Sequence, residues 1–245
     1  MGKEEELKIT KLSMLVELNN GNVHQLITTS ENRDMYLEVI EQYEKGIKLI
    51  EAPLVDIEIK TKINKFELAK NPNTLAETLA KLAKDEDSVV RSYAASNPNT
   101  SVETLSELAK DEDIYVRSRA ASNPNTPIET LVELAKDEDW HVRRNAASNP
   151  NTPIETLAEL AKDRDWHVRR STASNPNTTI ETLVELAKDE DSVVRSYAAS
   201  NPNIPAETLA ELAKDENIYV RCSAKSNPNI QKKQRDEKRV KNKSI

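Results

Sequence analysis

Asn123 to Ser148 reads NPNTPIETLVELAKDEDWHVRRNAAS, and most of the chain is a variation on that sentence. Asn-Pro-Asn begins at 71, 97, 123, 149, 175, 201 and 227, a spacing of 26 at every step. Six full units run from Asn71 to Ser226, and a seventh begins and fades. Self-similarity at a fixed period of this size marks a stack of supersecondary units.

One unit reads as two helices. Thr126-Pro127-Ile128-Glu129 has the form of a capping box with Pro at the first helical position. Helix A then sets Ile128, Leu131, Leu134 and Ala135 on one face by three-four spacing. Asp139 is a good N-cap for helix B, predicted over Trp140–Ser148. Pro150 forces Asn149 out of the α region and ends it. So small a helix pair cannot bury its faces alone, and stacking equivalent units makes one continuous core. The leucines at the positions of Leu131 and Leu134 recur in all six units, each contributing about 1.5–3 kcal/mol when buried. The second asparagine of each corner (Asn73, Asn99, Asn125, Asn151, Asn177, Asn203) is expected to satisfy backbone there in an Asx-type turn. An arginine ladder (Arg91, Arg117, Arg143, Arg169, Arg195, Arg221) looks like a phosphate track. It falls on the packing side, beside Asp-rich loops, so bonding to Asp85, Asp111, Asp137, Asp163, Asp189 and Asp215, or to helix carboxyl ends, is the expectation.

These residues resemble the leucine-rich repeat variant family, a branch of the HEAT/armadillo-like α-solenoids. The shared features are Asn-Pro, Thr-Pro, Glu-Thr-Leu, Leu-Ala, Asp-x-Asp and Val-Arg, and they recur across residues 71–226. The resemblance implies a right-handed α-superhelix with helix B lining the concave side, and binding rather than a particular reaction. Some relatives carry a cysteine cluster. Cys222 is the one cysteine here, so no iron–sulfur role carries over and no cofactor is expected.

Composition narrows the function. Three glycines (Gly2, Gly21, Gly46) stand in 245 residues, where about seventeen is ordinary. Phosphate-cradling loops, dinucleotide fingerprints and nucleophile elbows all need glycine and cannot be built from Lys48 onward. No apolar run approaches ~18 residues, so no membrane span is expected. The opening MGKEEELKIT lacks an apolar signal region, and one cysteine suits a reducing cytoplasm. The net charge of −7 is uneven. Residues 227–245 carry seven basic and two acidic side chains. Arg235 and Lys238 replace the core leucines, so this end reads as a cap, with contact to nucleic acid or an acidic partner as the alternative for the basic tail.

The first 60 residues differ from the rest. Lys8–Leu18 and Val23–Thr29 read as strands around an Asn20-Gly21 turn. A helix over 31–45 follows, closed by Gly46, and Val55, Ile57 and Ile59 alternate as a further strand. The expectation is a small α+β (ββαβ) module over 1–60, a capping helix over 61–70, the solenoid over 71–226, and a degenerate repeat with its tail over 227–245.

Variation between units separates constrained positions from unconstrained ones. In helix B the residues equivalent to Val142, Arg143, Ala146 and Ala147 hardly change. Those equivalent to Trp140, His141, Arg144 and Asn145 change freely. On a wheel the two sets oppose each other at about 160°. One face packs, and the other is the concave surface on which a ligand is expected. Its members are Tyr93; Tyr115 and Arg119; Trp140, His141, Arg144 and Asn145; Trp166, His167, Arg170 and Ser171; Tyr197; and Tyr219. Aromatics and arginine anchor interfaces. His141 and His167 lie one unit apart, roughly 10 Å by helix packing. With no carboxylate between them on that face, no metal site is expected. Arg221 stands beside Cys222, but no base is placed for catalysis.

The resulting expectation is a non-catalytic recognition scaffold holding a protein or peptide. Trp140 and Trp166 form the centre, Tyr115 and Tyr219 flank it, and Arg119, Arg144 and Arg170 receive an acidic or C-terminal carboxylate group. A nucleic-acid-binding relative of the HEAT-like DNA glycosylases is the runner-up, opposed by the acidic repeats. A designed scaffold without a native ligand is the third.

Overall fold

The computed structural model describes residues 12–17, 23–28 and 65–230. The chain divides into two compact units, Met1–Leu68 and Ala69–Ile245. In the first, β1 (Leu12–Glu17) and β2 (Val23–Thr28) pair antiparallel, Leu12 opposite Thr28 and Glu17 opposite Val23. The turn expected at Asn20-Gly21, the helix over 31–45, the strand over 55–59 and the basic tail lie outside the described residues. Helix α1 (Lys65–Lys70) falls within the stretch expected as a capping helix.

The second unit is a mainly helical repeat solenoid built from alternating short and longer helices. The A helices are α2 (Ala76–Leu82), α4 (Val102–Leu108), α6 (Ile128–Leu134), α8 (Ile154–Leu160), α10 (Ile180–Leu186) and α12 (Ala206–Leu212). The B helices are α3 (Ser88–Ser96), α5 (Ile114–Ser122), α7 (Trp140–Ser148), α9 (Trp166–Ser174), α11 (Ser192–Ser200) and α13 (Ile218–Ser226). Each B helix packs along the next B helix, and each A helix sits against the B helices before and after it. The result is two rows of helices with one apolar seam between them. Leu131, Leu134, Val142, Ala146 and Ala147 and their equivalents are the seam, at 0–6% exposure except where Thr172 (0%) replaces an alanine and Lys225 ends the series.

Local chemistry sets the ends of each helix. Asp87, Asp113, Asp139, Asp165, Asp191 and Asn217 cap the B helices, each accepting from a backbone N–H two residues on. B helices end on extended asparagines such as Asn149 (φ −70°, ψ 128°), and A helices on alanines such as Ala135 (φ −65°, ψ −15°). No helix of the solenoid therefore needs a positive φ at its end, and glycine has no corner to fill.

Two local expectations are corrected. Thr126 does not close a capping box: the residue before α6 is Pro127, with no side-chain cap bond. The Thr126 hydroxyl turns back instead and donates to the Ala120 carbonyl at 2.6 Å, satisfying the end of the preceding helix. Where Ser101 or Thr179 replaces the proline, that side chain does cap, accepting from Thr104 and Thr182 N–H. Ile128 is not in the seam either. It is 54% exposed, while Thr130, at 5%, is buried with the leucines. A seven-residue helix makes under two turns, and its first residue stands clear of its neighbours.

Candidate functional site

The candidate face is held in register by two ladders beneath it. In the first, Asn149 Nδ2 donates to the carbonyls of Ala121 (2.8 Å) and Asn123 (2.9 Å) in the preceding unit, while its Oδ1 accepts from Asn151 N–H (2.9 Å). The pattern recurs at Asn97, Asn123, Asn175, Asn201 and Asn227. The Asx role therefore belongs to the first asparagine of each corner, not to the second as expected. The second, such as Asn151, donates to the proline carbonyl of the preceding corner, Pro124, at 2.6 Å.

Among the described residues five of the six ladder arginines form ion pairs with aspartates of the expected set, while Arg221 donates to the Asp215 and Glu216 carbonyls. Arg143 Nε and Nη2 hold Asp163 at 2.6 and 3.0 Å, and Nη1 donates to the Asp137 and Glu138 carbonyls at 2.8 Å each. Arg91–Asp111, Arg117–Asp137, Arg169–Asp189 and Arg195–Asp215 repeat the pair. Each aspartate comes from the following unit. The hydrogen-bonded carboxylate pushes these guanidinium groups further up from their already high range. The Arg195 hydrogen bond holds the Asp215 carboxyl below the usual carboxylate range. Burial pushes Asp111 up, but hydrogen bonds from Arg91 and the Asp113 N–H outweigh it and leave it lowered too. The arginines are thus consumed by structure, leaving no phosphate track.

On the variable face the structure brings four rings into one column. His141 stacks on Trp140 (centroids 3.6 Å), Trp140 on His167 of the next unit (4.4 Å), and His167 on Trp166 (3.6 Å). The Arg144 guanidinium lies 5.6 Å from the Trp140 ring and that of Arg170 lies 5.1 Å from Tyr197. Trp166 also packs against the apolar seam. One family model, described as leucine rich repeat variant, matches residues 140–165, from Trp140 through one full period to the next cap.

Among solved structures, the chain is similar to a leucine-rich repeat variant with a novel repetitive motif (29% identity over 62% of this chain and 70% of that one, TM-score 0.31). It is also similar to YibA of Escherichia coli (22%, 68% and 75%, TM-score 0.46). A third is the HEAT-like repeats protein of the archaeon Thermococcus onnurineus NA1 (13%, 66% and 89%, TM-score 0.42). Comparison with the curated proteins gave no match.

Around the ring column the remaining face residues are placed unevenly. Tyr115, in the unit before, and Tyr219, two units after, stand out at 71% and 74% exposure, with Tyr197 at 41%. Arg119 is exposed, and Tyr93 is half-buried with the Lys70 ammonium 5.1 Å from its ring. Asn145 is tied down: its Nδ2 donates to the Ser118 hydroxyl (2.6 Å) and carbonyl (3.1 Å) of the preceding unit, and its Oδ1 accepts from Arg144. Ser171 is buried at 6% and does not belong to the exposed face.

A further correction concerns charge. Carboxylates do reach the histidines, because the N-cap aspartates serve twice. Asp139 Oδ1 and Asp165 Oδ1 each lie 3.0 Å from the Nδ1 of His141 and His167. Burial pushes Asp139 up, but the His141 backbone and ring hydrogen bonds outweigh it and leave the carboxyl lowered. Sequence reasoning assigned these aspartates to the backbone alone; the Asp-x-His spacing was the available signal. Among the described residues no group of three or more His, Cys, Asp or Glu is placed to hold a metal ion. None of the described helices is long and apolar enough to cross a membrane.

Proposed function

We propose that this chain is a non-catalytic recognition scaffold that holds a protein or peptide against its B-helix face, the concave side of a right-handed superhelix. The ring column His141–Trp140–His167–Trp166 carries the reading. It is built from residues that vary between units, on a framework that does not vary. Tryptophan and arginine are the residues that concentrate binding energy, and rings already stacked in place lose little side-chain entropy when a partner arrives. Tyr115 and Tyr219 flank the column, while Arg119, Arg144 and Arg170 offer forked donors to an acidic side chain or a C-terminal carboxylate. The setting is a reducing cytoplasm.

The test is Trp140→Ala combined with Trp166→Ala. Partners recovered by the wild-type chain are expected to fall away while helicity by circular dichroism is retained. Unchanged recovery by a fully helical variant overturns the reading.

A further inference from the structure

The A helices carry a second patterned surface that the proposed recognition face does not use. Val102, Ile128, Ile154 and Ile180 each open an A helix, and they are 46%, 54%, 49% and 50% exposed. Each is followed by an exposed glutamate: Glu103, Glu129, Glu155 and Glu181. One turn on, half-buried Val132, Ala158 and Val184 continue the apolar line, and exposed Glu133, Glu159 and Glu185 continue the acidic one. Lys110 pairs with Glu133 at 3.7 Å. Among the described residues no ion pair holds Glu129, Glu155, Glu159, Glu181 or Glu185. Three successive units therefore present an apolar stripe set among carboxylates that, Glu133 apart, are in no ion pair. Lys136, Lys162 and Lys188 lie beyond the last turn of these helices.

Helix formation does not ask for these isoleucines. Units one and six carry Ala76 and Ala206 there, and alanine is the better helix former. Single exposed apolar residues are ordinary. A stripe repeated in register is a contiguous patch, and such patches with polar borders mark interaction sites.

We propose that this stripe docks a basic amphipathic helix of a partner protein, one apolar residue resting on each of Ile128, Ile154 and Ile180, with lysines or arginines over the flanking glutamates. This surface is independent of the ring column. Stacked units follow one another at about 8–10 Å. Seven residues of α-helix span about 10.5 Å and return a side chain to nearly the same face, so heptad-spaced anchors match one per unit. A β-strand covers that distance in about three residues, which turns successive anchors to opposite faces. The unpaired carboxylates set the sign of the partner's charge.

The probe is a labelled synthetic helix with leucine at every seventh position and lysine beside it, titrated with the full chain by fluorescence anisotropy. Controls are a Glu-for-Lys version and a shuffled peptide of the same composition. The Lys/Leu helix is expected to bind, with both controls at least tenfold weaker. Ile154→Gln with Ile180→Gln is expected to weaken binding at least tenfold at unchanged helicity, since Leu157 and Leu183 beneath remain buried. The Trp140→Ala, Trp166→Ala chain is expected to bind the probe as the wild type does, which separates this proposal from the recognition reading. No binding of the Lys/Leu helix, equal binding of the shuffled peptide, or undiminished binding by the isoleucine variant would overturn it.

Discussion

Asn149 has 2% of its surface exposed and spends its whole amide on backbone: two carbonyls one unit back and one N–H two residues ahead. Removing it takes a partner from two buried carbonyls and a part-buried N–H, though the Asn123 carbonyl still accepts from the Thr126 N–H; a buried group left unsatisfied costs about 1–3 kcal/mol. Asn149→Ala is therefore expected to cost about 2–4 kcal/mol in urea unfolding, whereas Asn151→Ala, at an exposed position, should cost about 1 kcal/mol. That both asparagines matter was readable from the sequence; which one does what was not. Both recur with period 26, so periodicity alone cannot tell the buried amide from the exposed one. The same limit applies to the rings. Trp140 and Trp166 were readable as members of a variable face. Their stacking was not, because Trp140 meets His167 only once the offset between neighbouring units is known.

At the scale of elements, caps and ion pairs fix how one unit seats on the next. Helix B was predicted over Trp140–Ser148 and is found there, since Asp139 and the Asn149-Pro150 corner bracket it with unambiguous chemistry. The A-helix face was read less well: a span under two turns gives the three-four pattern too few residues to separate Ile128 from Thr130. Between elements, the buried Arg–Asp pairs carry a pH signature. The folded Asp111 and Asp215 carboxyls are held below their usual range. Their contribution is fully present above the unfolded value of about 3.9 and is lost as pH falls through the folded one. Melting temperature is thus expected to hold level from neutral pH to about 5 and to drop below about 4. Added salt at pH 7 should move it little, because shielded pairs are weakly screened. A flat profile from pH 7 to 3 would remove these pairs from the account of stability.

At the scale of the whole molecule, the asparagine and arginine ties recur at the same positions from one described unit to the next. Deleting residues 149–174 joins Ser148 to Asn175 and brings Arg143 opposite Asp189, the partner that Asp163 was. Such a chain is expected to fold with full helicity per residue and a lower midpoint, as nearest-neighbour stacking predicts. Deleting residues 149–161 instead breaks both ladders and should abolish cooperative unfolding by circular dichroism. The repeat was the most legible feature at this scale, because six copies agree on it. One consequence of the ring column remains. The chain has two tryptophans, and both lie in that column. Light absorbed by indole but not by tyrosine is therefore emitted from units three and four alone, a built-in optical probe of that patch within an otherwise silent solenoid.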